Sequence, residues 1–245
     1  MKGKVNILGV QFDSITMKDA VERSIRFLET QGLSMIFTAN PEIVMMAHKE
    51  EEFLQIINQG DMVVADGVGV VIGAKMLRRP MPERVAGYDL VQNIFKEIKD
   101  RSKTVYLFGA APEIAKKAAK RMVKQHPGLH IVGYHDGYFD KEEEARIISE
   151  INRLKPDILL VGLGAPKQEK WIYNYKDEID VRLCIGVGGS FDVMSGNVKR
   201  APKFFIRLGL EWFYRLITQP TRIKRMLKLP LFLVFVLLKG RRYKA

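Results

Sequence analysis

Apolar and polar positions follow two alternating periods along most of the chain. Short runs rich in branched and aromatic residues predict buried strands over Ser34–Ala39, Asp61–Ala65, Thr104–Phe108, His130–Tyr134, Asp157–Gly162 and Arg182–Val187. A further strand is expected over Val5–Val10. Between these runs the apolar residues recur at helical spacing, as with Val21, Ile25 and Leu28 inside Met17–Thr30. Other helices are expected to open at Pro41, to run from the glycines after Asp66 to Leu77, and to cover Tyr88–Arg101, Pro112–Gln125, Lys141–Leu154 and Gln168–Lys176. Strands that alternate with helices pair in parallel, because each crossover needs a helix to return the chain. The fold class is therefore α/β, a Rossmann-like three-layer sandwich with a mainly parallel sheet. Beyond Val198 the pattern changes. Leu208, Trp212 and Leu216 predict one helix over Phe204–Ile217, and Leu231–Leu238 is apolar throughout. Two parts follow: an α/β body over 1–198 and a basic, amphipathic helical appendage over 199–245.

Charge sharpens that division. The 245 residues carry a net charge of +12, yet residues 1–198 hold 27 basic and 27 acidic side chains. Residues 199–245 hold 13 basic side chains and one acid, Glu211, so the whole excess lies in the appendage. The run Leu231–Leu238 falls well below the roughly 20 residues that a membrane span requires. Arg222, Lys224, Arg225 and Lys228 precede it and Lys239, Arg241, Arg242 and Lys244 follow, a composition suited to lying in the plane of an anionic bilayer. The competing expectation is a core helix with solvated basic flanks. The N-terminus has no signal-peptide pattern, so the chain is expected in the cytoplasm, held peripherally at the inner leaflet. An exposed apolar tail would also drive homo-oligomers to form away from lipid.

In a parallel α/β sheet, ligands bind beyond the carboxyl ends of the strands. Four turns fall there: Thr38-Ala-Asn40-Pro41, Ala65-Asp66-Gly67-Val68-Gly69, Gly162 to Glu169, and Gly186 to Asp192. Each opens a helix whose first amides favour an anion, which points to a phosphate-bearing ligand of nucleotide size. Asp66, at the end of an apolar strand, suits a general base for a hydroxyl nucleophile, and equally suits a helix cap. Asn40 poses the same choice between cap and ligand. Thr38, still on the strand, is less easily a cap. Arg84 is a phosphate binder or a solvated loop cation. No P-loop or dinucleotide fingerprint is present, since Gly67-x-Gly69-x-x-x-Gly73 has the wrong spacing. His48, His126, His130 and His135 lack metal-ligand spacing, so neither a metal nor a cofactor is expected. Cys184, the one cysteine, reads as a buried strand thiol.

Taken together the motifs carry a family resemblance. Thr38-Ala-Asn-Pro-Glu42, Ala65-Asp-Gly-Val-Gly69, Arg84-Val-Ala-Gly-Tyr-Asp89, Phe108-Gly-Ala110 and Gly162-Leu-Gly-Ala-Pro-Lys-Gln-Glu169 come first in order. Gly186-Val-Gly-Gly-Ser-Phe-Asp192, Ser195-Gly196, Arg200-Ala-Pro202 and Gly209-Leu-Glu-Trp-Phe-Tyr-Arg215 follow. The chain resembles the WecG/TagA/CpsF glycosyltransferases over roughly Val5 to Arg225, and its motifs are most like the TagA type. The resemblance implies transfer of N-acetylmannosamine from its UDP donor to the 4-hydroxyl of N-acetylglucosamine on undecaprenyl diphosphate, with inversion, to prime wall teichoic acid. It implies Asp66 as the base, Thr38, Asn40 and Gln168 as residues that position the sugars, and Arg84 as the cation facing the leaving UDP. Gly164, Gly188, Gly189 and Asp192 would hold the nucleotide. Arg215, Arg222 and Arg225 would grip the lipid diphosphate.

Other readings remain open at this level. Relatives accept different UDP-sugars, so transfer of N-acetylmannosaminuronic acid or a hexose is an alternative. A dinucleotide-cofactor enzyme shares this kind of sheet. A non-catalytic membrane or nucleic-acid adaptor would explain the charge but not the neutral body with four glycine-rich turns; no nucleic-acid partner is expected.

Overall fold

The computed structural model describes residues 3–218 and 228–243. Six strands form a fully parallel sheet: β3 (Ser34–Ala39), β4 (Met62–Ala65), β5 (Thr104–Gly109), β6 (His130–His135), β7 (Ile158–Gly162) and β8 (Leu183–Gly186), in the order β4-β3-β8-β7-β5-β6. Side chains alternate across it as the two-residue strand period requires. Phe37, Val63, Phe108, Val161 and Cys184 pack on one face, and Ile36, Val64, Leu107, Leu160 and Ile185 on the other. Both cores are covered by helices, which gives the three layers. Burial drives the Cys184 thiol pKa up, so it stays a neutral core group.

One layer contains α1 (Met17–Phe27), α5 (Gly87–Ile98), α6 (Ile114–Gln125) and α9 (Ser190–Ser195). The other contains α2 (Pro41–Ala47), α3 (Glu51–Asn58), α4 (Val68–Met76), α7 (Lys141–Leu154) and α8 (Lys167–Asn174). The C-terminal part adds α10 (Lys203–Arg207), α11 (Glu211–Thr218) and α12 (Lys228–Lys239).

Two expectations are corrected. Val5–Val10 is not one strand of the main sheet. Leu8 and Gly9 adopt positive φ, 52° and 100°, and fold the run into an antiparallel hairpin of β1 (Lys4–Ile7) and β2 (Val10–Asp13). The Asn6 side chain accepts the Gly9 N–H at 2.9 Å and fixes the turn. The hairpin shields the sheet edge, where Asp13 accepts the Val63 N–H of β4 at 2.9 Å. The second correction concerns Phe204–Ile217, which is not one helix. Gly209, at φ 70°, ends α10, and the Leu210 N–H reaches back to the Phe205 carbonyl at 2.8 Å. Leu208 therefore does not share a helix with Trp212 and Leu216.

Helix α12 packs across α2 and α4 with Phe232 and Val236 fully buried. Glycines on α4 make that approach possible. A Cβ at Gly73 would lie 3.1 Å from the Phe232 ring, and one at Gly69 only 2.3 Å from Leu229. Gly69 and Gly73, four residues apart, thus present a bare stripe to α12, and Gly69 also lines the cavity described below. The contact is fastened at both ends. Lys228 pairs with Glu42 at 2.8 Å, and the Tyr243 carbonyl accepts from Arg79 at 2.7 Å. The outward side of α12 keeps Leu231, Val234, Leu237 and Leu238 exposed.

Candidate active site

A cavity of about 340 Å³ opens beyond the carboxyl ends of β3, β4, β7 and β8. Thr38, Asn40, Asp66, Arg84, Gln168, Gly164, Gly188 and Gly189 all line it. Asp192 is not part of the lining; it is half-buried on α9, where its carbonyl accepts the Val198 N–H at 3.0 Å. Arg215 belongs to α11, while Arg222 and Arg225 lie outside the described residues. Among the described residues no cluster of His, Cys, Asp and Glu has the arrangement of a metal site.

The strand ends deliver each group. Thr38 is buried on β3, and its hydroxyl donates to the Gly186 carbonyl of β8 at 2.7 Å, which ties two neighbouring strands together at the cavity floor. Asn40 is the N-cap of α2: its side-chain oxygen accepts the Ile43 N–H at 3.1 Å. Asp66 is not the cap of α4, which begins after Gly67 without a side-chain cap. Its Oδ1 accepts the Gly87 N–H at 3.1 Å, the first amide of α5. The carboxylate thus sits at the positive end of the α5 dipole, and it secures the return of the 78–86 loop.

The Arg84 guanidinium is ion-paired rather than solvated. Its Nη2 meets Glu211 at 2.9 Å, with both side chains largely buried. Glu211 opens α11, so the sole acid of residues 199–245 joins the appendage to the wall of the cavity. Arg200 completes that wall. It pairs with Asp89 and lies over the Tyr88 ring, 4.6 Å from the centroid. Burial raises the Tyr88 pKa above its ordinary value despite the opposing pull of Arg200, so the phenol stays a neutral donor.

The far wall is built on Gln168. Its Oε1 accepts the Gly188 N–H at 2.9 Å and its Nε2 donates to Glu169 at 2.7 Å. Gly164 and Gly188 take φ of 76° and 51°, the left-handed region that favours glycine, and a Cβ on either would meet nothing within 4 Å. These two turns are therefore open toward a ligand, whereas at Gly69 and Gly73 a Cβ would meet the α12 side chains Leu229 and Phe232. Tyr88, Arg200, Glu211 and Trp212 line the cavity as well, and the reading of individual residues did not single them out. A signal existed for Glu211, a lone acid among 13 cations.

A cavity of this kind, lined by a carboxylate, two arginines and glycine turns, suits an anionic ligand. The Glycosyl transferase WecG/TagA/CpsF family profile matches residues 5–245, and the chain belongs to that family. Three relatives share one name, N-acetylglucosaminyldiphosphoundecaprenol N-acetyl-beta-D-mannosaminyltransferase. The protein from Bacillus spizizenii is 39% identical over 211 residues, which cover 86% of this chain and 81% of the relative. That from Bacillus subtilis is 38% identical over 95% of this chain and 89% of its own length. That from Staphylococcus aureus is 37% identical over 98% and 95%.

Proposed function

We propose that this glycosyltransferase moves N-acetylmannosamine from UDP to the 4-hydroxyl of N-acetylglucosamine carried on undecaprenyl diphosphate. The observation that carries the reading is one cavity that gathers Asp66, Arg84, Asn40 and the Gly188 turn, in a chain so similar along its length to transferases of that name. Inversion at the anomeric carbon is a single displacement. Asp66 takes the proton of the acceptor hydroxyl as the oxygen attacks and the bond to UDP breaks. Glu211 engages one N–H of the Arg84 fork and orients it, and the other donors of Arg84 offset the charge that grows on the departing diphosphate. The Gly164 and Gly188 turns let the nucleotide approach the backbone closely.

The acceptor is tied to lipid, so the enzyme works at the inner leaflet without crossing it. Among the described residues no helix is long and apolar enough to cross a membrane. Leu231, Val234, Leu237 and Leu238 on α12 provide an apolar surface, next to basic residues. Replacing both Leu237 and Leu238 by Glu is expected to weaken binding to anionic vesicles by more than about tenfold, given roughly 1.5–3 kcal/mol for burying each leucine. UDP affinity should be unchanged. Equal vesicle binding in a sedimentation assay would remove α12 from the lipid contact. Arg215, Arg222 and Arg225 grip the lipid diphosphate. Lysine at all three is expected to lower turnover on lipid-linked acceptor by at least about tenfold, because lysine lacks the bidentate fork; unaltered kinetics would leave only general charge attraction.

The test of the function itself is UDP release from UDP-N-acetylmannosamine in the presence of lipid-diphosphate-linked N-acetylglucosamine. Turnover of a different UDP-sugar, with this one inert, would overturn the donor assignment.

A further inference from the structure

Glu169 takes no part in the displacement, yet it is the most deeply buried carboxylate among the described residues, with 0% of its surface exposed. It sits in the first turn of α8, next to the cavity wall. Its Oε1 accepts from Gln168 Nε2 at 2.7 Å, and among the described residues its Oε2 has no hydrogen-bond partner. Gln168 Oε1 in turn accepts the Gly188 N–H at 2.9 Å. The same side chain lies against β8, where a Cβ at Gly186 would come within 3.0 Å of Nε2.

A carboxamide has a donor end and an acceptor end, and only one orientation can hold the Gly188 amide. An ionised carboxylate accepts and cannot donate. It draws the NH₂ end of Gln168 toward itself and leaves Oε1 aimed at Gly188. We propose that Glu169 is a positioning residue for donor binding: it sets the orientation of the Gln168 amide and, through it, the Gly188 turn that meets the nucleotide. The proposal rests on the reading of the cavity as a UDP-sugar site.

The surroundings make Glu169 expensive to keep as a structural group. Desolvation pushes its pKa up to about 7, against the opposing hydrogen bond from Gln168. No cation compensates it among the described residues. On its own helix Lys170 is drawn to Glu50 and Glu52, at the start of α3, and Lys167 lies over the Phe139 ring. Glu51 of α3 is exposed, and Cys184 is the one titratable side chain on the facing strands β7 and β8. The folded pKa exceeds the ordinary 4.5, so the folded state binds the extra proton. Stability contributed by this group is present below pH 4.5 and is lost as pH rises toward about 7.

The experiment compares the full chain with its Glu169→Met and Glu169→Gln variants, by melting temperature across pH 5–8 and by calorimetric titration with UDP. Both variants are expected to melt higher than wild type at pH 8, with the gain shrinking toward pH 5. UDP affinity should fall about tenfold or more in Glu169→Met and be kept in Glu169→Gln, whose carbonyl still accepts from Gln168. A methionine variant that binds UDP as wild type does overturns the proposal. So does one that melts lower or does not fold, since Glu169 would then be a stabilising core group. Wild-type protein that shows no affinity for UDP overturns the cavity reading itself, a result distinguishable from the other two.

Discussion

Asp66→Asn is expected to lower kcat by about 10²–10⁴-fold while UDP binding persists. The geometry makes this a clean substitution. Asp66 holds the Gly87 N–H through Oδ1 at 3.1 Å, and the asparagine side-chain oxygen can accept the same bond. The start of α5 and the return of the 78–86 loop are then preserved. What disappears is the proton acceptor and its charge at the α5 terminus, the latter worth only about 0.3–1 kcal/mol to the fold. A loss in kcat with little change in melting temperature or UDP affinity separates the chemistry from the scaffold. Full turnover by a folded Asp66→Asn protein would end the assignment of Asp66 as base.

The second large effect lies away from the chemistry. Phe232→Ala is expected to loosen α12 from the body at a cost of about 3–5 kcal/mol, the range for removing a fully buried phenylalanine. The lost side chain leaves a void over Gly73, where no neighbouring Cβ can fill the space. Gly73→Val attacks the same contact from the other side, because its Cβ would begin 3.1 Å from the Phe232 ring and its methyls closer still. Leu229, on the first turn of α12, also lines the cavity, so the two variants should lose activity as well as stability. Hydrogen exchange over residues 228–239 provides the check. Unchanged protection in both variants would mean that the docking of α12 does not depend on this contact.

These two expectations mark where sequence pattern was informative. The alternation of strands and helices was legible because β3, β4, β7 and β8 are buried on both faces and stand out as apolar runs. The turns that line the cavity were legible for the same reason, since a parallel sheet places them at one edge. The hairpin at Val5–Val10 was not, because Leu8 enters a positive φ that its side chain gives no hint of. Nor did Leu231–Leu238 show that its two sides have different fates. Phe232 and Val236 turn into the body while Leu237 and Leu238 face outward, a distinction set by the bare stripe on α4 more than 150 residues earlier in the sequence. Gly69, expected in a ligand turn, lines the cavity and also meets Leu229 of α12, since close approach of any partner demands the same small residue. The pairing of Arg84 with Glu211 spans 127 positions and leaves no local trace.

The place of β8 in the sheet has a further consequence, for the order in which the protein is made. β8 lies between β3 and β7, so Leu183–Gly186 is the last strand synthesised and joins the two halves of the sheet. Until it emerges from the ribosome, β3 and β7 each keep an open edge inside what becomes the core. The Thr38 hydroxyl also lacks its Gly186 acceptor until then. The nascent chain therefore holds two separate half-sheets, β4-β3 and β6-β5-β7, until β8 inserts between them, and the cavity wall is finished only by residues made later still, from Arg200 to Leu229.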